Sequence, residues 1–313
     1  MNALTQNILV LVLAVALDVL LPDPPNRIHP VAWMGRAINA LRRLAPTKPT
    51  PALLFGAVLA LGVVGASAVV AHLVVEVLHD IGEVAHVLGG ALILRYTFAV
   101  RGLSRAARRV RNSLELGRLD EARADLRSLV SRNPSSLGPS LIAAAAIGSV
   151  AENTTDSFVG PWLAFSIFGV PGAVAYRAVN TLDSMLGYRG AYEYLGKASA
   201  RLDDLVNLIP ARLSALLLLS SGFLEGLPVG RGWRLVRTDR RLTPSPNAGW
   251  TMSAMAGLVG VKLEKPDHYC LGRDLDPPLA RHIDRAVRLA ERTAALAFFS
   301  ALGLLALRLA AGG

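Results

Sequence analysis

The chain has 313 residues, 52% of them hydrophobic and 18% charged, with a formal net charge of +10. That is more apolar than the roughly 45–50% of soluble domains and points to a membrane; the basic residues gather beside apolar stretches without aromatic interleaving, which excludes nucleic acid as their partner. The single cysteine, Cys270, excludes an internal disulfide and any cysteine-based metal cluster.

The first predicted element, "ALTQNILVLVLAVALDVLL" at 3–21, approaches the roughly 20 apolar residues that cross about 30 Å of hydrocarbon as a helix. It lacks a basic leading segment and a small-residue cleavage site, so it is expected to span rather than to be removed as a signal peptide. The stretch "DPPNRIHPVAWMGR" at 23–36 follows directly, and its prolines make it a stiff extended segment that fixes Asp23 and His29 near the membrane surface. A second span covers "PALLFGAVLALGVVGASAVVAHLVV" at 51–75.

Loop 22–50 carries Arg27, Arg36, Arg42, Arg43 and Lys48 against Asp23 alone, whereas the turn after the second span carries Glu76, Asp80 and Glu83. The positive-inside rule then places the N-terminus outside, loop 22–50 in the cytoplasm and the acidic turn outside. His72, Glu76, His79, Glu83 and His86 would form one stripe on a continuous helix, read as a solvated or subunit-facing seam away from the other polar groups. A third, weaker span, "VAHVLGGALILRYTFAV" at 84–100, contains Arg95.

Residues 101–140 read as a cytoplasmic helical insertion. Leu103, Ala107, Val110 and Leu114 share one face of its first helix, and a second helix follows Gly117. From 141 to 224 come short apolar pieces broken by "GVPG" at 169–172 and by Pro210. Broken helices are tolerated at membrane depth where protein or a water-filled cavity satisfies the freed backbone, so a cavity is expected here. Residues 225–292 read as a polar cytoplasmic loop region in which "GLPVGRGW" is a turn and no strand alternation stands out. "TAALAFFSALGLLALRLAA" at 293–311 is a final span. The fold class is therefore all-α: one polytopic membrane domain over 1–313, with broken or re-entrant helices and cytoplasmic helical segments.

Three polar groups recur at the edges of apolar pieces. "SVAENTTDS" puts Glu152 and Asp156 at i and i+4 with Asn153 beside them; "NTLDSMLGYR" gives Asn180 and Asp183; "RLDDLVNLIPARL" gives Asp203, Asp204 and Asn207 within about one helical turn. Any one of these reads as a helix cap or interfacial polar residue. Three together point to function, because a buried carboxylate without a partner costs several kcal/mol. Carboxylate and amide oxygens without a His/Cys cluster suit Mg²⁺, with Glu152, Asp156 and Asp183 as the candidate ligands, and Arg177, Arg189, Lys197 and Arg201 between the groups could hold phosphate. No P-loop sequence occurs.

The motifs "DPPNRIHPVAWMGR", "SVAENTTDSFVGP", "AYRAVNTLDSMLGYR", "ARLDDLVNLIPARLSALLL" and "SPNAGWTMSAMAG" run in order over nearly the whole chain. Together they resemble the cobalamin-biosynthesis CobD/CbiB family of membrane-bound adenosylcobinamide-phosphate synthases. The resemblance implies that the free propionate of adenosylcobyric acid, a corrinoid, is joined through an amide to (R)-1-amino-2-propanol or its O-phosphate with consumption of ATP. It implies catalytic roles for Glu152, Asn153, Asp156, Asn180 and Asp183. Substrate contacts would come from Asp23, His29, Arg177, Arg189, Lys197, Arg201, Asp203, Asp204, Asn207 and Asn247. Gly148 stands where the family usually has an acid, and 131–134 reads "SRNP" where relatives have a "GRDT"-like stretch, so the cation site would rest on Glu152 and Asp156.

The expected setting is the cell membrane, with the active site facing the cytoplasm, as a homo-oligomer or beside other cobamide-assembly enzymes. Two other classes fit the polar groups less well. An intramembrane Mg²⁺-dependent transferase should carry denser Asp motifs, and a transporter should show related halves.

Overall fold

The computed structural model describes residues 2–22, 24–25, 27–130, 133–187 and 193–311. Asp23, Arg189, Ser131 and Arg132, all singled out by the sequence, lie outside the described residues. Thirteen α-helices, one π-helical turn and a two-stranded hairpin are present among them, and they divide into two compact units.

The first unit comprises 1–99, 160–206 and 299–313. Helix α1 (Ala3–Leu20) begins where the Asn2 side chain accepts the Thr5 N–H at 2.9 Å. Its 18 residues rise only about 27 Å, short of a full hydrocarbon layer. His29 starts α2 (Pro30–Arg42): its Nδ1 accepts the Val31 N–H at 3.2 Å, and Pro30 occupies the first turn, where its missing N–H costs nothing. Helix α3 (Pro49–Ile81) is long and apolar enough to cross a membrane, and Leu54, Val58, Leu61, Val70 and Val77 are exposed along it. A surface of that kind belongs against lipid.

Helix α4 (Glu83–Arg95) follows a break at Gly82, so the histidine stripe does not run on one continuous helix. His79 and His86 meet edge to face at 5.4 Å across that break. Arg95 lies at the end of α4 and is buried; its guanidinium donates to the carbonyls of Leu21 and Pro22, at 3.0 and 2.8 Å, where α1 ends. The charge that weakened this segment as a span thus satisfies the end of another helix.

Helix α8 (Gly160–Leu186) contains the break foreseen at "GVPG": Gly169 has φ 68° and ψ −162°, and Pro171 follows. That backbone is open essentially to glycine alone. Helix α9 (Glu193–Val206) packs on α8 and α3 through glycines; a Cβ on Gly196 would overlap the Leu186 carbonyl, and one on Gly56 the Leu195 carbonyl. Ile38, Leu59, Leu182, Leu186 and Leu195 form the core beneath.

The second unit comprises 100–159 and 207–298. Helix α5 (Val100–Glu115) buries Leu103, Ala107 and Val110 as its period requires, while Arg108 and Arg111 pair with Glu291 and Asp284. Helix α6 (Leu119–Leu126) follows, then α7 (Pro139–Thr154), which passes into the π-turn Thr155–Val159. Helix α10 (Leu208–Leu224) packs on that turn. The stretch expected to be a polar loop is largely helical. The turn in "GLPVGRGW" is confined to the residues before Val229, where α11 (Val229–Asp239) begins, and α12 (Ala248–Val259) is almost wholly buried. Strands β1 (Leu263–Lys265) and β2 (Tyr269–Leu271) pair antiparallel with Leu263 opposite Leu271, too short for alternation to register in sequence. Helix α13 (Ala280–Ala311) closes the chain.

Four helical stretches, Pro49–Ile81, Glu83–Glu115, Pro139–Leu186 and Ala280–Ala311, are long and apolar enough to cross a membrane, and α9 with α10 makes a fifth broken candidate. The chain is a multi-pass membrane protein on that composition.

Candidate functional site

In the second unit the motif "SVAENTTDS" is not one regular helix. α7 ends at Thr154, and Thr155–Val159 form a π-turn, a widened turn that recurs at functional sites. The sequence treats Glu152 and Asp156 as neighbours on one α-helical face. In the structure Glu152 is exposed at the end of α7, while Asp156 is half-buried in the wider turn. Asn153 organises the turn. Its amide N–H₂ donates to the Ser149 carbonyl at 2.9 Å and to Ser149 Oγ at 3.2 Å, and its oxygen accepts from Ser157 Oγ at 3.1 Å. Ser149 Oγ in turn donates to the Leu129 carbonyl at 2.7 Å. Asn153 thus has both its donor and its acceptor side engaged by Ser149 and Ser157. Gly148 faces the Met252 methyl of α12, 3.2 Å from where a Cβ would sit, so this is a packing position here.

Within the same unit Asn247 is buried, and its Oδ1 accepts from Arg212 Nη1 at 2.6 Å. Its own N–H donates to Ser245 Oγ at 3.2 Å, and Thr243 Oγ1 donates to the Ser245 carbonyl, so the "TPSPN" loop is pinned. The glycine of "SPNAGW" admits protein backbone: a Cβ on Gly249 would overlap the Arg240 carbonyl. Arg212 and Arg240 each stand 4.9 Å from the Trp250 ring centroid. None of these three was chosen from the sequence as a site residue, and only the fold brings them together. Asn207, the buried residue that precedes α10, accepts the Ala211 N–H through its carbonyl.

In the first unit Asn180 accepts from Arg177 Nη1 at 3.3 Å, one turn away on α8. Asp183 and Asp204 are close enough for their charges to interact across the α8–α9 contact, and Arg201 reaches Asp204 at 3.7 Å. Asp203 is half-buried beside them, whereas Lys197 and Arg201 are exposed. His29 caps α2 and meets Tyr96 edge to face at 5.2 Å. A groove of about 860 Å³ runs among α2, α3, α4 and α8. It is lined mostly by apolar side chains, with Ser67, Thr97 and Arg177 also on its wall, and only Val174 and Arg177 come from the stretch where the sequence led one to expect a cavity.

Among the described residues no three His, Cys, Asp or Glu side chains are gathered to hold a metal ion. The oxygens present suit Mg²⁺ only in the mode where one or two carboxylates hold a cation that keeps its waters and is shared with substrate phosphate.

The CobD/CbiB protein family model matches residues 11–296. The chain is 43% identical to "Cobalamin biosynthesis protein CobD" of Dehalococcoides mccartyi, over 88% of this chain and 90% of that protein. It is 36% identical to "Probable cobalamin biosynthesis protein CobD" of Methanothermobacter thermautotrophicus, over 95% and 97%, and 38% identical to "Cobalamin biosynthesis protein CbiB" of Salmonella choleraesuis, over 85% and 84%. No solved structure matches.

Proposed function

The chain belongs to the CobD/CbiB family of cobalamin biosynthesis, and on that premise we propose that it is an ATP-dependent amide ligase acting on adenosylcobyric acid with (R)-1-amino-2-propanol or its O-phosphate. One observation carries the assignment to particular residues. The family motif "SVAENTTDS" passes from the apolar helix α7 into a π-turn bridged by Ser149, Asn153 and Ser157, with Glu152 just before the turn and Asp156 within it. Ordinary helix-end acids need no such framework.

An amide forms from a carboxylate only when one carboxylate oxygen becomes a leaving group, and ATP with Mg²⁺ supplies that activation when bound. Glu152 and Asp156 divide the protein's part. One would hold the cation through a carboxylate oxygen, and the other would accept a proton from the substrate ammonium so that the free amine can attack. Asp183 and Asp204 form a second acidic pair, within the other unit. The enzyme works in the cell membrane with Glu152 and Asp156 open to the cytoplasm, where ATP is found.

Purified protein in detergent, given adenosylcobyric acid, ATP, Mg²⁺ and each amine in turn, should yield a corrinoid heavier by the amine less one water, only when ATP is present. No mass increase with either amine would refute amide ligation. For the orientation, cysteines placed at 183 and 247 after replacing Cys270 should be protected from impermeant reagents added outside intact cells. Labelling at either position would reverse it.

A further inference from the structure

Arg212 on α10 and Arg240 at the end of α11 both stack on one indole, with centroid distances of 4.9 Å each. Two guanidiniums on one ring repel each other, and Arg212 feels the Arg240 charge. Such a pair is ordinarily relieved by a carboxylate. Among the described residues neither arginine has one. Arg212 donates through Nη1 to the Leu208 carbonyl and Asn247 Oδ1, and Arg240 donates through Nη1 to the carbonyls of Val236 and Arg237.

Both sets of bonds fix the guanidinium planes and leave Nε and Nη2 of each arginine with donors not used by described protein atoms. The nearest acid in sequence is already engaged, since Asp239 accepts the Gly272 N–H at 2.7 Å and the Thr238 hydroxyl at 2.6 Å. All three side chains are half-buried, which strengthens a charged contact without closing it to a ligand. Arg234, Arg237 and Arg241 extend the positive field along and just beyond α11. Gly249 lets α12 approach the Arg240 backbone closely, which brings Trp250 up to the pair.

We propose that Arg212, Arg240 and Trp250 form an oxyanion site that binds a phosphate group of a substrate, with the two planar forks donating to its oxygens and the indole holding the forks apart. This rests on the amide-ligase reading only for the choice of ligand. That reading offers two sources of the same chemistry, the polyphosphate of ATP and the O-phosphate of the amine.

The test is direct binding, independent of turnover. The full-length protein in detergent is dialysed to equilibrium against labelled ATP without Mg²⁺ and, separately, against labelled 1-amino-2-propanol O-phosphate, with melting temperature followed in parallel. Arg212→Gln and Arg240→Gln should each raise Kd at least tenfold for one of the two ligands, and that ligand identifies the source. Should Arg212→Gln lose its fold with its bond to Asn247, Arg240→Lys carries the test: it keeps the charge, loses the fork, and should weaken binding several-fold at an unchanged melting temperature. Unchanged Kd for both ligands in folded variants would overturn the site and leave amide ligation standing, and so would wild-type protein that binds neither. Weakened binding by variants of a wild type that ligates no amine would keep the site and refute the ligation.

Discussion

Two of the interruptions in the described apolar helices, at Gly169 and at Thr155–Val159, are finished differently. At Gly169 the backbone turns out of α8, and Pro171 has no N–H to return to the Ile167 carbonyl. Arg308, from the end of α13, donates to the carbonyls of Ser166 and Ile167 and so seals the break. The turn at Thr155–Val159 is built instead from side chains of the same segment, Ser149, Asn153 and Ser157, and it leaves Glu152 exposed beside it. The first break takes a charged side chain from another helix to satisfy backbone; the second is held by neutral side chains of its own segment.

The contrast can be broken at either end. Removing both acids, Glu152→Gln with Asp156→Asn, should lower the rate of amide formation at least ~100-fold, the low end of what acid–base groups contribute, without loss of folded protein. Full activity in that double variant, measured by corrinoid mass against time, would make the π-turn as structural as the break. Asn153→Ala should have a smaller effect, about tenfold in kcat, the scale of losing one positioning hydrogen bond of about 1.4 kcal/mol. A change confined to KM would instead place Asn153 on the substrate.

The Gly169 end should respond in stability. Gly169→Ala forces a side chain into a backbone region that only glycine populates and should destabilise the protein by about 1–3 kcal/mol, read as an earlier loss of helical signal on heating. An unchanged transition would show that the segment can relax into a continuous helix. Arg308→Met leaves two carbonyls without their donor and should cost about 1 kcal/mol, less where water reaches them. A variant as stable as the parent would mean that another group takes over the cap.

The long helices were legible where their composition is uniformly apolar, at 51–75 of α3 and 293–311 of α13, whereas the charged first turns of α13 at 280–292 read as polar loop. The break at Gly169 was legible too, since a glycine two residues before a proline states its backbone preference locally. The π-turn was not, because "TTDSFV" is as compatible with a regular helix as with a widened one, and packing against α10 is not written in its own residues. Arg95 looked like a flaw in a span because its partners, Leu21 and Pro22, are distant in sequence. The buried α12 was hidden by the arginines before it, which make the window polar although "TMSAMAGLV" is not. The Arg212–Trp250–Arg240 stack comes from three separate segments, and no spacing rule connects them.

The most direct test measures turnover and thermal stability side by side for Glu152→Gln and Gly169→Ala in one detergent preparation. The expected result is a crossed pattern: Glu152→Gln melts with the parent yet loses at least ~100-fold in amide-forming rate, while Gly169→Ala melts earlier yet turns over at near-parent rate where it is folded. Near-parent turnover by Glu152→Gln, with its cost appearing in stability instead, would contradict the claim that the π-turn is where the chemistry lies.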